Sequence, residues 1–370
     1  MDSVMLAALD SIVPAAIADG ATPGAAVAIG RHGKLVWLKG YGRTDWAPTA
    51  PEVTDSTLYD LASLTKPLAT TLAAMRLVQA GDLDLDAKVS RYLRYWPRRG
   101  AASRIRIRHL LSHTSGLPPD RDLWAIGDDR TSRLRRLSHT HLIARPGRES
   151  EYSDVGMIVL GAVIERVTGR RLDAYLQSRV YGPLRLRETT FTPLSPVGHS
   201  PFDLDRIAPT EFSRVLGRPI QGRVHDSNAD ALGGVAGNAG LFSSVRDVAV
   251  LCRELLRGVQ GESNKLARAA TVRRFASARI AGRALGFDLP DPDGPFSRRA
   301  FGHTGYTGTS FWIDPARDLF VVLLTNRVDP SSDNHKHIAL RTAVHDVVIR
   351  AVRAPGAGSE EKRADRGSGR

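Results

Sequence analysis

Residues 64–80 constrain this chain more than any other stretch. Leu68, Leu72, Ala73, Met75, Leu77 and Val78 leave almost no helical face polar. A helix apolar all round is stable only when protein surrounds it, so the rest of the chain must be built about this segment. With 370 residues there is enough chain to bury a large core. Gly81 is placed to end the helix. Pro67 is tolerated only in a first turn, which sets the start close to Ser63. Ser63 and Lys66, three residues apart, then share a face. A serine hydroxyl is a poor nucleophile until a neighbour takes its proton, and a helix N-terminus favours negative charge developing nearby. S-x-x-K is frequent by chance, so its weight depends on the remaining chain.

Residues 24–41 alternate apolar and polar positions around His32-Gly33, the pattern of a β-hairpin carrying Val27 and Ile29 on one arm and residues 35–38 on the other. Strand patterns return at residues 310–313 and 319–324, on either side of an Asp-Pro-Ala-Arg-Asp turn at 314–318. Residues 1–19 read as an amphipathic helix with Met5, Leu6, Leu9, Ile12 and Val13 on one side, and residues 334–352 as a last helix. The expected fold is α/β in the α+β sense: an antiparallel sheet made from both ends of the chain, flanked by terminal helices, with a mostly helical insertion. This is one catalytic domain over residues 1–353. Its sheet lobe comprises 1–62 and about 290–353, and its helical lobe about 63–289. Ser63 falls at their junction, a common place for a site. Residues 183–240 lack periodicity, and so long a loop in a compact protein usually wraps a site. Ser244-Val-Arg-Asp247 reads as a capping box opening the helix that carries Cys252. Residues 354–370 hold glycine, serine and charge without apolar content and read as a disordered tail.

The net charge of +13 raises the question of a nucleic-acid partner. The arginines cluster at 94–108 and 130–136 without aromatic interleaving or a DNA-binding motif, so a solvated basic surface is expected instead. The first twenty residues have neither a basic start nor a long apolar core, which argues against a signal peptide, a transmembrane helix or a membrane partner and makes the cytoplasm the default. Cys252 is the only cysteine and reads as a small core residue. His109, His113, His139, His141 and the His225-Asp226 pair have no metal-ligand spacing, and neither metal nor cofactor is expected. The glycines at 233–240 follow no strand, so they form no phosphate loop and read as a loop bordering the pocket.

Two further stretches carry chemistry. In Tyr152-Ser153-Asp154 a tyrosine near a lysine could act as general base, with a short polar residue two places on to bind a substrate amide. The alternative is a core tyrosine beside a helix cap supplied by Ser153 or Asp154. In His303-Thr304-Gly305-Tyr306 the glycine lets a substrate approach the backbone, and the N–H of Tyr306 could join that of Ser63 as an oxyanion hole. The alternative is a glycine-rich turn before a strand.

With these stretches in this order, the chain resembles the serine β-lactamase and penicillin-binding superfamily, closest to class C β-lactamases, D-aminopeptidases, D-Ala-D-Ala carboxypeptidases and related esterases. Residues 107–117 (Ile-Arg-His-Leu-Leu-Ser-His-Thr-Ser-Gly-Leu), 152–156, 302–310 and Trp312-Ile-Asp-Pro support the likeness, which spans about 24–350. The resemblance implies that Ser63 is the acyl-forming nucleophile, Lys66 eases its deprotonation and Tyr152 is the tyrosine base. Asp154 stands where asparagine is usual, and His303-Thr304-Gly305 takes the place of Lys-Thr-Gly against the substrate. A histidine offers at best a partial charge to a substrate carboxylate, and Asp154 would repel one or attract an amine. Esterase, amidase or D-amino-acid peptidase activity on a small-molecule ester, amide or peptide is therefore expected ahead of efficient β-lactamase activity. The competing readings are a non-catalytic binding protein on the same fold, and a true β-lactamase or DD-carboxypeptidase.

Overall fold

The computed structural model describes residues 1–126, 129–192 and 202–353. Five strands, β1 (Gly24–Arg31), β2 (Lys34–Gly42), β3 (Phe301–Thr304), β4 (Ser310–Asp314) and β5 (Leu319–Thr325), form one antiparallel sheet. Their order is β2-β1-β5-β4-β3. The two ends of the chain meet at its centre, where Ala25 lies opposite Thr325 and Arg31 opposite Leu319. The β1–β2 turn is the expected tight one, with His32 and Gly33 at φ 50° and 71°. His303 and Thr304 end β3, and the turn after them leads into β4.

Five helices bear on the site: α1 (Leu9–Ala18), α2 (Leu72–Ala80), α3 (Asp154–Thr168), α4 (Val245–Gln260) and α5 (His337–Arg353). The N-terminal helix is two pieces rather than one, because a separate turn, Ser3–Ala7, is capped by Asp2 and closes at Ala8. The two-residue period of β1 divides its side chains cleanly. Ala25, Val27 and Ile29 join Leu319, Val321 and Leu323 under Leu9 and Val13 of α1 and Leu340, Val344 and Val348 of α5. Ala26 and Ala28, with Phe320, Val322 and Leu324, face the main core. There α4, drawn from the middle of the chain, packs on β1, β4 and β5. Ser244 caps α4 through the Asp247 N–H. The Asp247 carboxylate turns away to the Glu188 N–H (2.8 Å) and the Thr189 hydroxyl (3.0 Å), so only half of the anticipated capping box forms.

Residues 64–80 are buried as expected but do not form a uniform helix. A 3₁₀ turn at Ala62–Leu64 passes into a wider π-type stretch at Lys66–Thr71, every residue of it buried, before α2 begins. Such widened turns often mark functional sites. Gly81 ends α2 in the left-handed region at φ 82°. The long segment after residue 183 returns to the turn that carries Ser63: Thr190–Phe191 pairs with Leu241–Ser243, which pairs with Tyr59–Asp60. The tail at 354–370 lies outside the described residues. Among the described residues no helix is long and apolar enough to cross a membrane, and no group of three or more metal-ligating side chains assembles.

Candidate active site

Ser63 sits on a turn held from three directions. The residue before it, Ala62, has φ 47°, a left-handed conformation that costs a non-glycine residue about 1–2 kcal/mol. Asp60, fully buried, fixes that conformation: Oδ1 accepts from the Ala62 N–H (2.8 Å) and Oδ2 from the His225 N–H (2.8 Å). Burial raises the Asp60 pKa. Opposite, Thr307 and Thr309 donate to the carbonyls of Asp60 (2.8 Å) and Leu61 (3.1 Å). The turn carrying Gly305 and Tyr306 is thereby tied to the turn carrying Ser63. A Cβ at Gly305 would lie 2.1 Å from Thr309 Oγ1 and 2.7 Å from the Leu61 carbonyl oxygen. Gly305→Ala should therefore push the two turns apart and lower kcat/KM by about 10²-fold, the usual effect of an ångström of misplacement. Steady-state kinetics beside a melting curve check this.

Lys66 is buried, with Nζ donating to Ser63 Oγ at 2.9 Å and to the Asn238 carbonyl at 3.0 Å. Asp154 Oδ1 lies 2.6 Å from the same ammonium, at an angle off the line of a hydrogen bond. Burial alone would lower the Lys66 pKa, but Asp154 and Tyr152 outweigh it and hold the ammonium above its ordinary value. Tyr152 packs its ring 4.9 Å from Lys66 Nζ. Its pKa is raised, chiefly by burial, with Lys66 pulling the other way. Both groups are thus protonated at rest.

Asp154 was expected to meet the substrate. Its carboxylate borders the cavity that holds Ser63 and also pairs with Lys66, which offsets part of the repulsion anticipated for a substrate anion. Ser153, not Asp154, caps α3, its hydroxyl accepting from the Gly156 N–H at 3.0 Å. His303 is almost fully buried, and its Nδ1–H donates to the Thr304 carbonyl at 2.7 Å. Burial, only partly opposed by Asp288, lowers its pKa. The neutral imidazole is thereby favoured, in keeping with the at-best partial charge expected of it. Thr304, Gly305 and His303 line a cavity of about 460 Å³ that includes Ser63 and Tyr152. A second cavity of about 420 Å³ meets it at Ser63, Tyr152 and Tyr306 and is walled by Asp120, Asp154, His225 and Asp226. The Tyr306 ring is half-exposed between Arg327 (4.5 Å) and His225 (5.7 Å). A further cavity, lined by His32, Arg253, Arg257 and Asp318, shares no residue with the nucleophile's cleft.

Four positions that shape the site escaped the reading of the sequence. Asn238, in the glycine-rich loop, supplies the carbonyl that holds Lys66. The loop can come that close because Gly237 packs on Gly161 and the Met157 carbonyl of α3, where a Cβ would fall 2.0 Å from that oxygen. His113 stacks on Tyr152 (centroids 4.6 Å apart) and accepts from the Ser153 N–H at 3.0 Å. Burial, with Arg283 and Lys66, keeps its pKa well below the usual value. Arg283 lies 5.3 Å from the Tyr152 ring and pairs with Asp288. Asp60 is the fourth. The only prior hint was the His-Thr-Ser-Gly stretch, because contacts between residues so far apart in sequence leave no periodic trace.

The match to known proteins is broad. Residues 9–345 match the Beta-lactamase family. An N-acetylmuramyl-L-alanine amidase of Bacillus subtilis is 32% identical, the match covering 88% of this chain and 82% of the amidase. A putative D-alanyl-D-alanine carboxypeptidase of Escherichia coli is 33% identical over 77% of this chain and 73% of its own length. Among solved structures, EstCE1, a hydrolase with promiscuous acyltransferase activity, superposes with a TM-score of 0.76 at 26% identity, covering 94% of this chain and 99% of EstCE1. With Lys66 bonded to Ser63 on a buried turn beneath an antiparallel sheet, the chain belongs to the β-lactamase family and is a serine hydrolase of that fold.

Proposed function

We propose that the protein hydrolyses small esters or amides through an acyl-enzyme on Ser63, within a single catalytic unit spanning residues 1–353. The observation that carries this is the 2.9 Å bond from Lys66 to Ser63 Oγ with Tyr152 packed against both. Ser63 Oγ attacks the carbonyl carbon while its proton passes into the Lys66–Tyr152 pair. The N–H groups of Ser63 and Tyr306 receive the developing oxyanion. Among the described residues the Tyr306 N–H meets no protein acceptor, which supports that role. The pair returns the proton to the leaving group, and water then releases the acyl group by the same route. His303, Thr304 and Gly305 border the bound substrate, and Asp154 acts on it through Lys66.

Because Lys66 and Tyr152 both hold their protons at rest, the reactive form is the one in which the pair has lost one. kcat/KM should therefore climb as pH rises. Asp154 raises both pKa values, so Asp154→Asn should let burial lower that of Lys66 and move the rising limb to lower pH. A limb that stays in place would remove Asp154 from the proton economy of the site.

The function is tested with a panel of short p-nitrophenyl esters, D-amino-acid amides and nitrocefin. Ester or amide turnover ahead of nitrocefin is expected, with a fluorophosphonate probe labelling Ser63. The names of the amidase and carboxypeptidase relatives favour including amides. No turnover and no labelling would leave a non-catalytic binding protein, whereas nitrocefin turnover matching the esters would make it a β-lactamase.

A further inference from the structure

The hairpin formed by Phe212–Ser213 and Arg218–Pro219 takes no part in the chemistry above. Phe212 lies opposite Pro219 and Ser213 opposite Arg218. The turn between them, residues 214–217, closes through the Gly217 N–H on the Ser213 carbonyl (2.9 Å), with Gly217 at φ 64°. It reads Arg-Val-Leu-Gly. Turns that face water favour glycine, proline, asparagine, aspartate and serine, so two aliphatic side chains at a hairpin tip need a reason. Val215 is 96% exposed, the most of any large apolar side chain among the described residues, and Leu216 and Phe212 are 42% and 46% exposed. Arg214 and Arg218 flank them, both exposed, and neither has a carboxylate partner among the described residues. The hairpin's own carboxylate, Glu211, is engaged at its base by His225 (2.9 Å) and the Ser332 hydroxyl (2.9 Å).

The tip stands on a firm mount. The Thr210 N–H donates to the Ile220 carbonyl (2.7 Å), the Ile220 N–H to the Glu211 carbonyl (3.0 Å) and the Phe212 N–H to the Pro330 carbonyl (3.0 Å). One residue earlier, the Asp329 carbonyl accepts from the indole N–H of Trp46 (3.0 Å), a residue 41% exposed. The 329–330 stretch thus holds two exposed aromatic residues. A convex apolar tip between unpaired cations fits the surface of an anionic bilayer. A protein partner would need a pocket cut to the tip, whereas acyl chains yield to any small apolar group. Arginine stems lie along apolar surface while their heads stay at the level of the phosphates, and each cation near an anionic leaflet adds attraction. Tryptophan is favoured at that same depth. The net charge of +13 draws the whole molecule to such a surface, and the tip gives it a fixed point of entry. We propose that the 212–218 hairpin, with Trp46, is an interfacial membrane contact that inserts Val215 and Leu216 among anionic lipids. Such a contact is not a membrane span, for which no described helix is long and apolar enough. A search for long apolar runs misses it because the tip is two residues long. His225, bonded to Glu211 at the hairpin's base, also walls the Ser63 cavity, so docking brings that cleft to the lipid surface.

The test sediments the full chain with vesicles of phosphatidylglycerol and phosphatidylcholine in equal parts, and with phosphatidylcholine alone, at about 0.15 M salt. Binding to the anionic vesicles and not to the neutral ones is expected. Val215→Ser combined with Leu216→Ser keeps every charge and should weaken that binding by about tenfold or more, with the melting temperature unchanged because both side chains already face water. Arg214→Gln combined with Arg218→Gln should weaken it by a similar factor and flatten its salt dependence. An NBD fluorophore on Val215→Cys should brighten on anionic vesicles, and the native Cys252 is buried away from the label. Equal binding by the double-serine variant overturns the proposal and assigns the attraction to net charge alone. No binding to anionic vesicles overturns it too, and dimers that the double-serine variant loses would then assign the tip to a second copy of the chain. None of these readouts uses ester or amide turnover, so failure of the hydrolase reading leaves them standing.

Discussion

Ser63→Ala should lower turnover of p-nitrophenyl esters by about 10⁵-fold, the scale on which removing a serine nucleophile acts, with melting temperature little changed. The large effect follows from Ser63 Oγ being the aliphatic hydroxyl that Lys66 Nζ holds. Nζ donates to Ser63 Oγ and to the Asn238 carbonyl, and the Asp154 carboxylate lies beside it as an ion pair. The small structural effect follows from where the turn is held. The anchors at Asp60, Thr307 and Thr309 engage the backbone of residues 60–62, and none engages the Ser63 hydroxyl. Kinetics with a circular-dichroism melt separate the two. Residual turnover above a hundredth of wild type would mean that a water activated elsewhere attacks the ester, and the acyl-enzyme route would be wrong.

Tyr152→Phe should cost about 10²- to 10⁴-fold in kcat, the range for removing a general acid–base group. The ring of Phe keeps the stack on His113 and the contact with Lys66, so the loss isolates the hydroxyl. If Tyr152 only packs, the variant will resemble wild type. A falling kcat with unchanged KM, together with loss of the alkaline rise in rate, assigns it to proton transfer. Lys66 should remain charged in the variant, because Asp154, the first of the influences that raise its pKa, is untouched.

The fold was legible where periodicity reports it. The β1–β2 hairpin, the 314–318 turn, the buried segment at 64–80 and the two terminal helices all follow from local patterns that have a single burial solution. Ser63 and Lys66 were legible for the same reason, since three residues of spacing on one turn fix their proximity. The electrical state of the site was not legible. Asp154 looked like a charge facing the substrate, because nothing in Tyr-x-Asp says that its oxygen reaches Lys66 88 positions earlier. The burial of His303 was hidden because it depends on β3 lying at the edge of the sheet under residues 283–288. Asn238 contributes a carbonyl, which every residue type owns, so no side-chain pattern could have flagged it. Arg327 read as one of a scattered basic surface until its burial singled it out.

The pairing of Lys66 with Asp154 has a consequence for selectivity. The two charges sum to zero within 2.6 Å, so a substrate meets a dipole rather than a net charge at the reacting residues. Discrimination among charged substrates is accordingly expected of the side chains that wall the two cavities. Bond cleavage and charge sorting are therefore carried by separate residues, and the second can be rewritten without retuning the first.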